Sequence, residues 1–483
     1  MELTKMNMKH ILVIVLVFFC TAQLAMAQKT NHQVFTLEGC ITTAIAANQQ
    51  LVLAQNQAAI DNTNYQQAKS NLLPYVGANI SHGLNEGRSI NPYTNAYSDQ
   101  KIDFAQYNVS ASFLLWNGNA LQQNIQQNRL NAKASNMDAQ QARDNLVIQV
   151  ILSYLQVLSL QEQIKAAQQQ AQVSEAQVQR LTLLNNDGAI APATLFDMKG
   201  QYGNDQLNVI NLQNQLTNAK LSLFALMNTN FVENAFFEPI VNEMQKQDSS
   251  VTANSAYQLA LNNMPMVKAY QYRWESNLKK VKVAKAQLLP SLSFNVGLGT
   301  NYSSLANTLQ YVNTTEVATG GYVNYNGSKL PVYMQQNNYV NQNISYGQQW
   351  KNNFNASLSL VLQIPILNGL QARTKVRQAQ IQVKQSAFLL NSTKTQLQQS
   401  VYSTYINMLQ AEKTEKVSIA QLSDFTQSFH AATVKFEAGV GTSVDYIIAK
   451  TNMDKASINA IVARYNVLLL QKVLDYYQGV LKF

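Results

Sequence analysis

The chain has 483 residues, more than a single hydrophobic core normally serves, and only 13% of them are charged, about half the usual share. Its net charge of +9 is scattered, with no basic cluster interleaved with aromatics, which argues against a nucleic-acid partner. No catalytic or cofactor-binding pattern stands out. His10, His32, His82 and His430 lack metal-ligand spacing, and no glycine-rich phosphate loop or Walker-type sequence occurs, so neither an enzyme nor a resident cofactor or metal is expected.

In chain order, Lys5 and Lys9 precede the apolar run Ile11 to Phe19 and the small-x-small triplet Ala25-Met26-Ala27. This reads as a secretory signal over 1–27, cut before Gln28, because the run is too short to span a bilayer. The mature chain then keeps one cysteine, Cys40, on an apolar helix start, where packing is the expected role. A helix is predicted near Leu37 to Leu73. Period-two alternation follows over 75–82 (Val76, Ala78 and Ile80 apolar) and again over 107–116 (Val109, Ala111 and Phe113 apolar), predicting two strands.

From Asn119 to about Leu184 there is no proline or glycine, so one helix of roughly 100 Å is predicted. Heptad seams run through Val150, Val157 and Ile164 and through Leu146, Leu160, Ala167, Ser174 and Leu181. Glycine at Gly188, with Ala189 after it, predicts a turn, and a return helix is predicted from Thr194 to Met227. Asn228 to Ser250 is mixed and is expected to form an irregular belt with the C-terminal segment.

The pattern then recurs. Ala68-Lys69-Ser70-Asn71-Leu72-Leu73-Pro74 matches Ala284-Lys285-Ala286-Gln287-Leu288-Leu289-Pro290, and Trp116-Asn117-Gly118 matches Leu367-Asn368-Gly369. The second copy predicts a helix over Ala256 to Leu289, strands near 291–299 and 353–364, and a long helix from Leu370 to Glu437. Its heptads include Leu390, Leu397, Ala411 and Ser418. A glycine turn at Gly439, Val440, Gly441 and Thr442 and a return helix from Ser443 to Gly479 complete it. The repeats are bounded as 28–254 and 255–483. Leu84 to Phe104 and Asn301 to Trp350, between paired strands, read as outer loops.

The strands carry almost no charge on their polar faces and approach membrane-strand length, and aromatic residues (Tyr75, Tyr93, Tyr107, Trp116, Tyr302, Trp350) gather near their ends. Four strands cannot close a barrel, and an open edge cannot face lipid, so other chains must complete the wall. Two copies would give eight strands, whose interior side chains fill the lumen, whereas three would give twelve and leave room for a channel.

The signal sequence, the duplicated helix–strand–strand–helix unit, Leu-Leu-Pro before each first strand, Asn-Gly after each second and the glycine-bearing tips together resemble the TolC-like outer-membrane efflux protein family. The resemblance implies an α+β membrane protein: a homotrimer with one twelve-stranded β-barrel, continued by a long α-helical barrel. It also implies an outer-membrane location extending into the periplasm, a periplasmic adaptor protein, and an inner-membrane pump as the source of energy. By the family's spacing from Gly439, Asp445 matches an acid that faces the pore axis at the periplasmic tip; Ile448 stands where the family often has another, and Gly441 where it has a polar or basic residue. Asp197, at a looser spacing from Gly188, is expected to bridge neighbouring return helices. The tips Gly188-Ala189 and Gly439 to Ser443 are expected to dock the adaptor. A periplasmic structural coiled coil and a barrel-anchored surface protein stay open as alternatives; the former leaves the four uncharged strands unexplained, and the latter lacks a passenger domain.

Overall fold

The computed structural model describes residues 34–90, 95–240 and 252–481; the expected signal sequence, Tyr93 and the belt residues 241–250 lie outside them. Its helices come in pairs of equal length. Helices α1 (Leu37–Ala47), α2 (Gln49–Ser70), α3 (Ala120–Asn186) and α4 (Pro192–Met227) have 11, 22, 67 and 36 residues. The second half supplies α5 (Ala253–Asn263), α6 (Pro265–Ala286), α8 (Gln371–Glu437) and α9 (Ser443–Gln478), again with 11, 22, 67 and 36. A seven-residue helix, α7 (Tyr346–Asn352), lies between the last two strands of the second half.

One expectation is corrected twice at the same relative place. The helix predicted over Leu37 to Leu73 breaks at Asn48, and that over Ala256 to Leu289 breaks at Met264; both residues are extended, with ψ of 122° and 120°. Pro265 accounts for the second break, since proline holds the preceding residue out of the helical region. In the first, the Asn48 side chain does the work: its Oδ1 accepts from the amides of Gln50 (3.0 Å) and Leu51 (3.2 Å), capping the new helix.

The fold divides into two compact units, each drawn from both halves of the sequence. One takes the described residues of Met1–Ala59, Ala134–Gln271 and Leu389–Phe483; the other takes Ile60–Lys133 and Tyr272–Phe388. The sequence repeats are therefore not units of packing. In the first unit the core gathers Cys40 and Ile41 of α1, Val150, Tyr154 and Val157 of α3, and Leu223 and Phe224 of α4. Strand β1 (Val34–Phe35) pairs in parallel with β6 (Phe236–Phe237) over this core. Leu481 also packs there, so the C-terminal segment joins this layer. The Tyr154 hydroxyl, fully buried, lies 2.9 and 2.8 Å from the carbonyl oxygens of Phe35 and Glu238, tying both short strands to the long helix. Burial raises the Cys40 thiol to about 11, an inert packing residue.

In the second unit, β2 (Tyr75–Asn85), β5 (Ile102–Trp116), β7 (Ser291–Ser303) and β10 (Asn355–Gln363) form one antiparallel sheet in the order β10-β7-β5-β2. Each strand that leads into a long helix does so through the same turn: Gly118 and Asn119 have φ of 65° and 65°, Gly369 and Leu370 of 59° and 63°. The expected outer loop over Asn301 to Trp350 is instead largely a ribbon of β8 (Asn307–Tyr325) and β9 (Ser328–Asn343). Its turn is Asn326-Gly327, both at positive φ (47° and 84°), the pairing that suits the right-handed twist of a hairpin. A smaller hairpin, β3 (Arg88–Ile90) with β4 (Tyr97–Asp99), interrupts the loop between β2 and β5.

Candidate functional site

The sheet of the second unit is one candidate surface. Register carries the two-residue alternation coherently across all four strands. One face presents the rows Val76–Ala111–Val296–Leu358 and Ala78–Val109–Leu298–Ala356, with Phe113, Phe294 and Leu360 in line beside them. The other presents Asn79–Asn108–Gly299–Asn355 and Gly77–Ser110–Gly297–Ser357. Ser112 Oγ donates to Asn295 Oδ1 at 2.8 Å on this polar face. Among Asp, Glu, Lys and Arg, the four strands contain only Asp103, near one end. On edge strand β10, Leu358 and Leu360 are 72% and 66% exposed, an apolar surface that no described residue covers. Both outer strands, β2 and β10, have one unpaired edge in the sheet. Aromatic contacts cluster at one end: Tyr107 against Trp350 (4.7 Å between centroids) and Tyr302 against Tyr346 (4.7 Å).

The helix tips of the first unit are the other candidate. Both long helices end in the same motif. Gly188 (φ 69°) donates to Asn185 O at 3.0 Å while Ala189 donates to Leu184 O at 2.9 Å. Gly439 (φ 74°) donates to Phe436 O at 3.2 Å while Val440 donates to Lys435 O at 3.0 Å. This six-residue closure satisfies carbonyls that a helix end leaves free, and its positive φ selects glycine. Gly441 has a different reason: a Cβ there would sit 3.2 Å from the carbonyl carbon of Lys435. Pro192 opens α4 as its first residue, and Thr442 caps α9 by accepting from the Asp445 amide at 3.0 Å.

The predicted gate residues lie as follows. Asp445 is exposed and engaged locally, its Oδ2 accepting from the Thr442 hydroxyl at 2.7 Å. Ile448, one turn on, is 55% exposed. Asp197 is exposed as well and accepts from Ser443 Oγ at 3.0 Å, joining the second turn of one return helix to the start of the other in the same chain. The structure thus brings Asp197 to Ser443 and couples Asp445 to its own cap. Ala189 and Val440 are exposed at the turns.

Behind the tips lies a small core of Leu181, Leu195, Met198 and Tyr446. The Tyr446 ring stands 5.3 Å from Phe429 and 5.0 Å from Phe436, and its burial pushes the phenol up to about 12. Further along α9 is a cluster that sequence reasoning missed. Lys450, fully buried, donates to Asp205 Oδ2 at 2.8 Å and to Asp454 Oδ2 at 2.5 Å. Asp205 also accepts from Ser174 and from Gln201 (2.8 Å), so α3, α4 and α9 meet at one carboxylate. Burial raises the Asp454 carboxyl above its ordinary range, although Lys450 works against this. The sequence carried one part of it, the four-residue spacing that stacks Tyr446, Lys450 and Asp454 along one α9 face.

The model of the outer membrane efflux protein family matches residues 40–229 and again 256–477. The outer membrane protein TolC of Salmonella enteritidis is 22% identical over 439 residues, covering 89% of this chain and 78% of that one. Among solved structures, a membrane protein from Pseudomonas aeruginosa superposes with a TM-score of 0.74 at 14% identity, covering 92% of both chains. The outer membrane protein VceC of Vibrio cholerae gives 0.73 at 13% identity, covering 92% of this chain and 96% of that one.

Proposed function

The chain belongs to the outer membrane efflux protein family, and we propose that it forms the outer-membrane duct of a tripartite export system as a closed homotrimer. The observation that carries this reading is the four-stranded sheet with one apolar face, one uncharged polar face and two open edges. In lipid, open edges are excluded. An even number of antiparallel strands leaves the two edge strands running in opposite directions, so β10 of one copy meets β2 of the next in antiparallel fashion. Repeating that contact around a ring closes it without residue. Three copies make a twelve-stranded barrel with the leucine-rich face toward lipid and the Asn/Ser/Gly face toward the lumen.

The long helices then extend into the periplasm as a helical barrel. Equal helix lengths in the two halves support a duplicated unit, bounded as 28–254 and 255–483. The glycine tips, Gly188-Ala189 and Gly439 to Ser443, dock a periplasmic adaptor that joins the duct to an inner-membrane pump. At the gate, three Asp445 carboxylates face the axis beside a ring of Ile448, and the Ser443–Asp197 bond holds the return helices together at rest. Like charges gathered on an axis invite cations between them.

Asp445→Asn tests the gate cleanly, because the asparagine oxygen still accepts from Thr442 and only the charge is lost. In planar bilayers the variant should resist block by divalent and trivalent cations added from the periplasmic side, with resting conductance unchanged. Block as strong as in the native channel would remove Asp445 from the pore lining.

A further inference from the structure

Strand β7 outlasts its neighbour β10. Their pairing ends at Asn355 with Gly299, so Thr300 to Ser303 have no strand on that side among the described residues. Helix α7 takes the place of one. Gln349, 1% exposed, accepts from the Ser303 amide at 2.9 Å and donates to the Ser303 carbonyl at 3.0 Å, as a paired strand residue would. Asn353 Nδ2 donates to the Asn301 carbonyl at 2.8 Å. A backbone edge that would be costly beside lipid is thereby satisfied by side chains.

The helix also takes one side of the sheet. Register places Tyr107, Thr300 and Tyr302 on the apolar face, continuing the line of Val109 and Leu298. Thr300 Oγ1 donates to the Trp350 carbonyl at 3.0 Å, the Trp350 ring meets Tyr107, and the Tyr346 ring meets Tyr302. The Tyr107 and Tyr346 hydroxyls share a hydrogen bond. Tyr346 and Trp350 nonetheless stay 44% and 45% exposed. α7 is therefore held against the leucine-bearing side of the wall, with ring surface turned outward.

Height selects what those rings meet. At the other end of the same face, where β5 leads into α3, Trp116 stands opposite Leu292. The eight residues from Leu292 to Thr300 span roughly 27 Å of strand. At the tilt of a membrane barrel this is about 20 Å along the bilayer normal, close to the apolar band of about 25 Å that such barrels present. Trp and Tyr rings have an apolar body and a polar tip, so they settle at the two borders of that band. We infer that α7 is seated in the headgroup layer of the leaflet farther from the long helices, with Tyr346 and Trp350 touching phospholipid on the outside of the barrel.

This inference rests on the apolar face meeting lipid, and the experiment separates the two. The full-length protein is reconstituted into phosphatidylcholine vesicles doped with phosphatidylcholine carrying a nitroxide quencher, either on the headgroup or near the end of an acyl chain. The variant Trp116→Phe/Trp274→Phe keeps Trp350 as its only tryptophan. A second variant adds Trp350→Phe and Leu358→Trp, which puts the reporter on a mid-sheet apolar row. The headgroup label should quench Trp350 at least about three-fold more than the chain label does, and the Leu358→Trp reporter should show the reverse order. Should the first variant fail to insert, subtracting the Trp350→Phe signal from that of the native chain gives the same ratio. Quenching of the Leu358→Trp reporter with Trp350 untouched by either label would place α7 in water and overturn the anchor alone. So would stronger quenching of Trp350 by the chain label than by the headgroup label. Neither reporter quenched would contradict the membrane reading itself.

Discussion

Lys450→Met should be the most damaging single substitution in the helical part of this protein. The ammonium is fully buried and holds two carboxylates whose side chains are each 11% exposed. Methionine fills the volume but leaves Asp205 and Asp454 facing each other without a counter-charge. Removing one partner of a buried ion pair costs about 3–5 kcal/mol, mostly because the remaining charge stays desolvated. The helical transition in denaturant, followed by circular dichroism, should shift down by that amount. Asp454→Asn should cost far less, since Lys450 keeps Asp205 and the replaced carboxylate was itself held against a burial penalty that raises its pKa. The sign of the pH effect follows. A carboxyl raised in the folded state binds its proton more readily there than in the unfolded chain, so its contribution is fully present below the unfolded value and is lost as pH rises through the folded one. Asp454→Asn should flatten that mildly acidic stretch of the stability profile, and a native-like midpoint for Lys450→Met would refute the whole account of the cluster.

Tyr446→Ala should open the tip. The ring is 3% exposed and bridges Phe429 and Phe436 of α8 to the core formed with Leu181 and Leu195. Truncating a buried aromatic costs about 3–5 kcal/mol through lost transfer energy and the cavity left behind. Nearer the tip than the buried Lys450 cluster, the remaining polar links between these hairpins are exposed: the Arg180–Glu437 pair spans 3.5 Å between largely exposed side chains, and such surface pairs contribute at most about 1 kcal/mol. The Ser443–Asp197 bond is exposed too. Resting conductance in planar bilayers should therefore rise several-fold in Tyr446→Ala. Tyr446→Phe should behave as native, because the hydroxyl makes no hydrogen bond among the described residues. A Tyr446→Ala channel with native resting conductance would show that this aromatic core does not keep the tip shut.

The long helices were legible because nothing in them can stop a helix, and Asn119 to Leu184 and Leu370 to Glu437 fall within two residues of the observed ends. The strands were legible because the apolar and polar faces stay in register across the sheet, apart from one irregularity between Leu114 and Trp116; each simply runs on, as in Tyr75–Asn85 and Ile102–Trp116. What escaped depended on single residues. Pro265 marked a helix break in plain view, whereas Asn48 breaks its helix only through a side-chain cap that composition does not announce. Asn326-Gly327 signalled a hairpin but sat in a polar segment without an apolar face, so its flanks looked like loop. The Lys450 cluster was hidden for a different reason. Its partners Asp205 and Ser174 come from other helices, and no spacing within one helix reveals them.

The central claim is that three chains complete one barrel, and the most direct measurement is the native mass of the protein extracted from outer membranes in mild detergent. The account predicts a particle of three chains, stable on dilution, because every open β2 and β10 edge is paired only when the ring is closed. A particle of one chain that still conducts ions, or one of two chains, would contradict it.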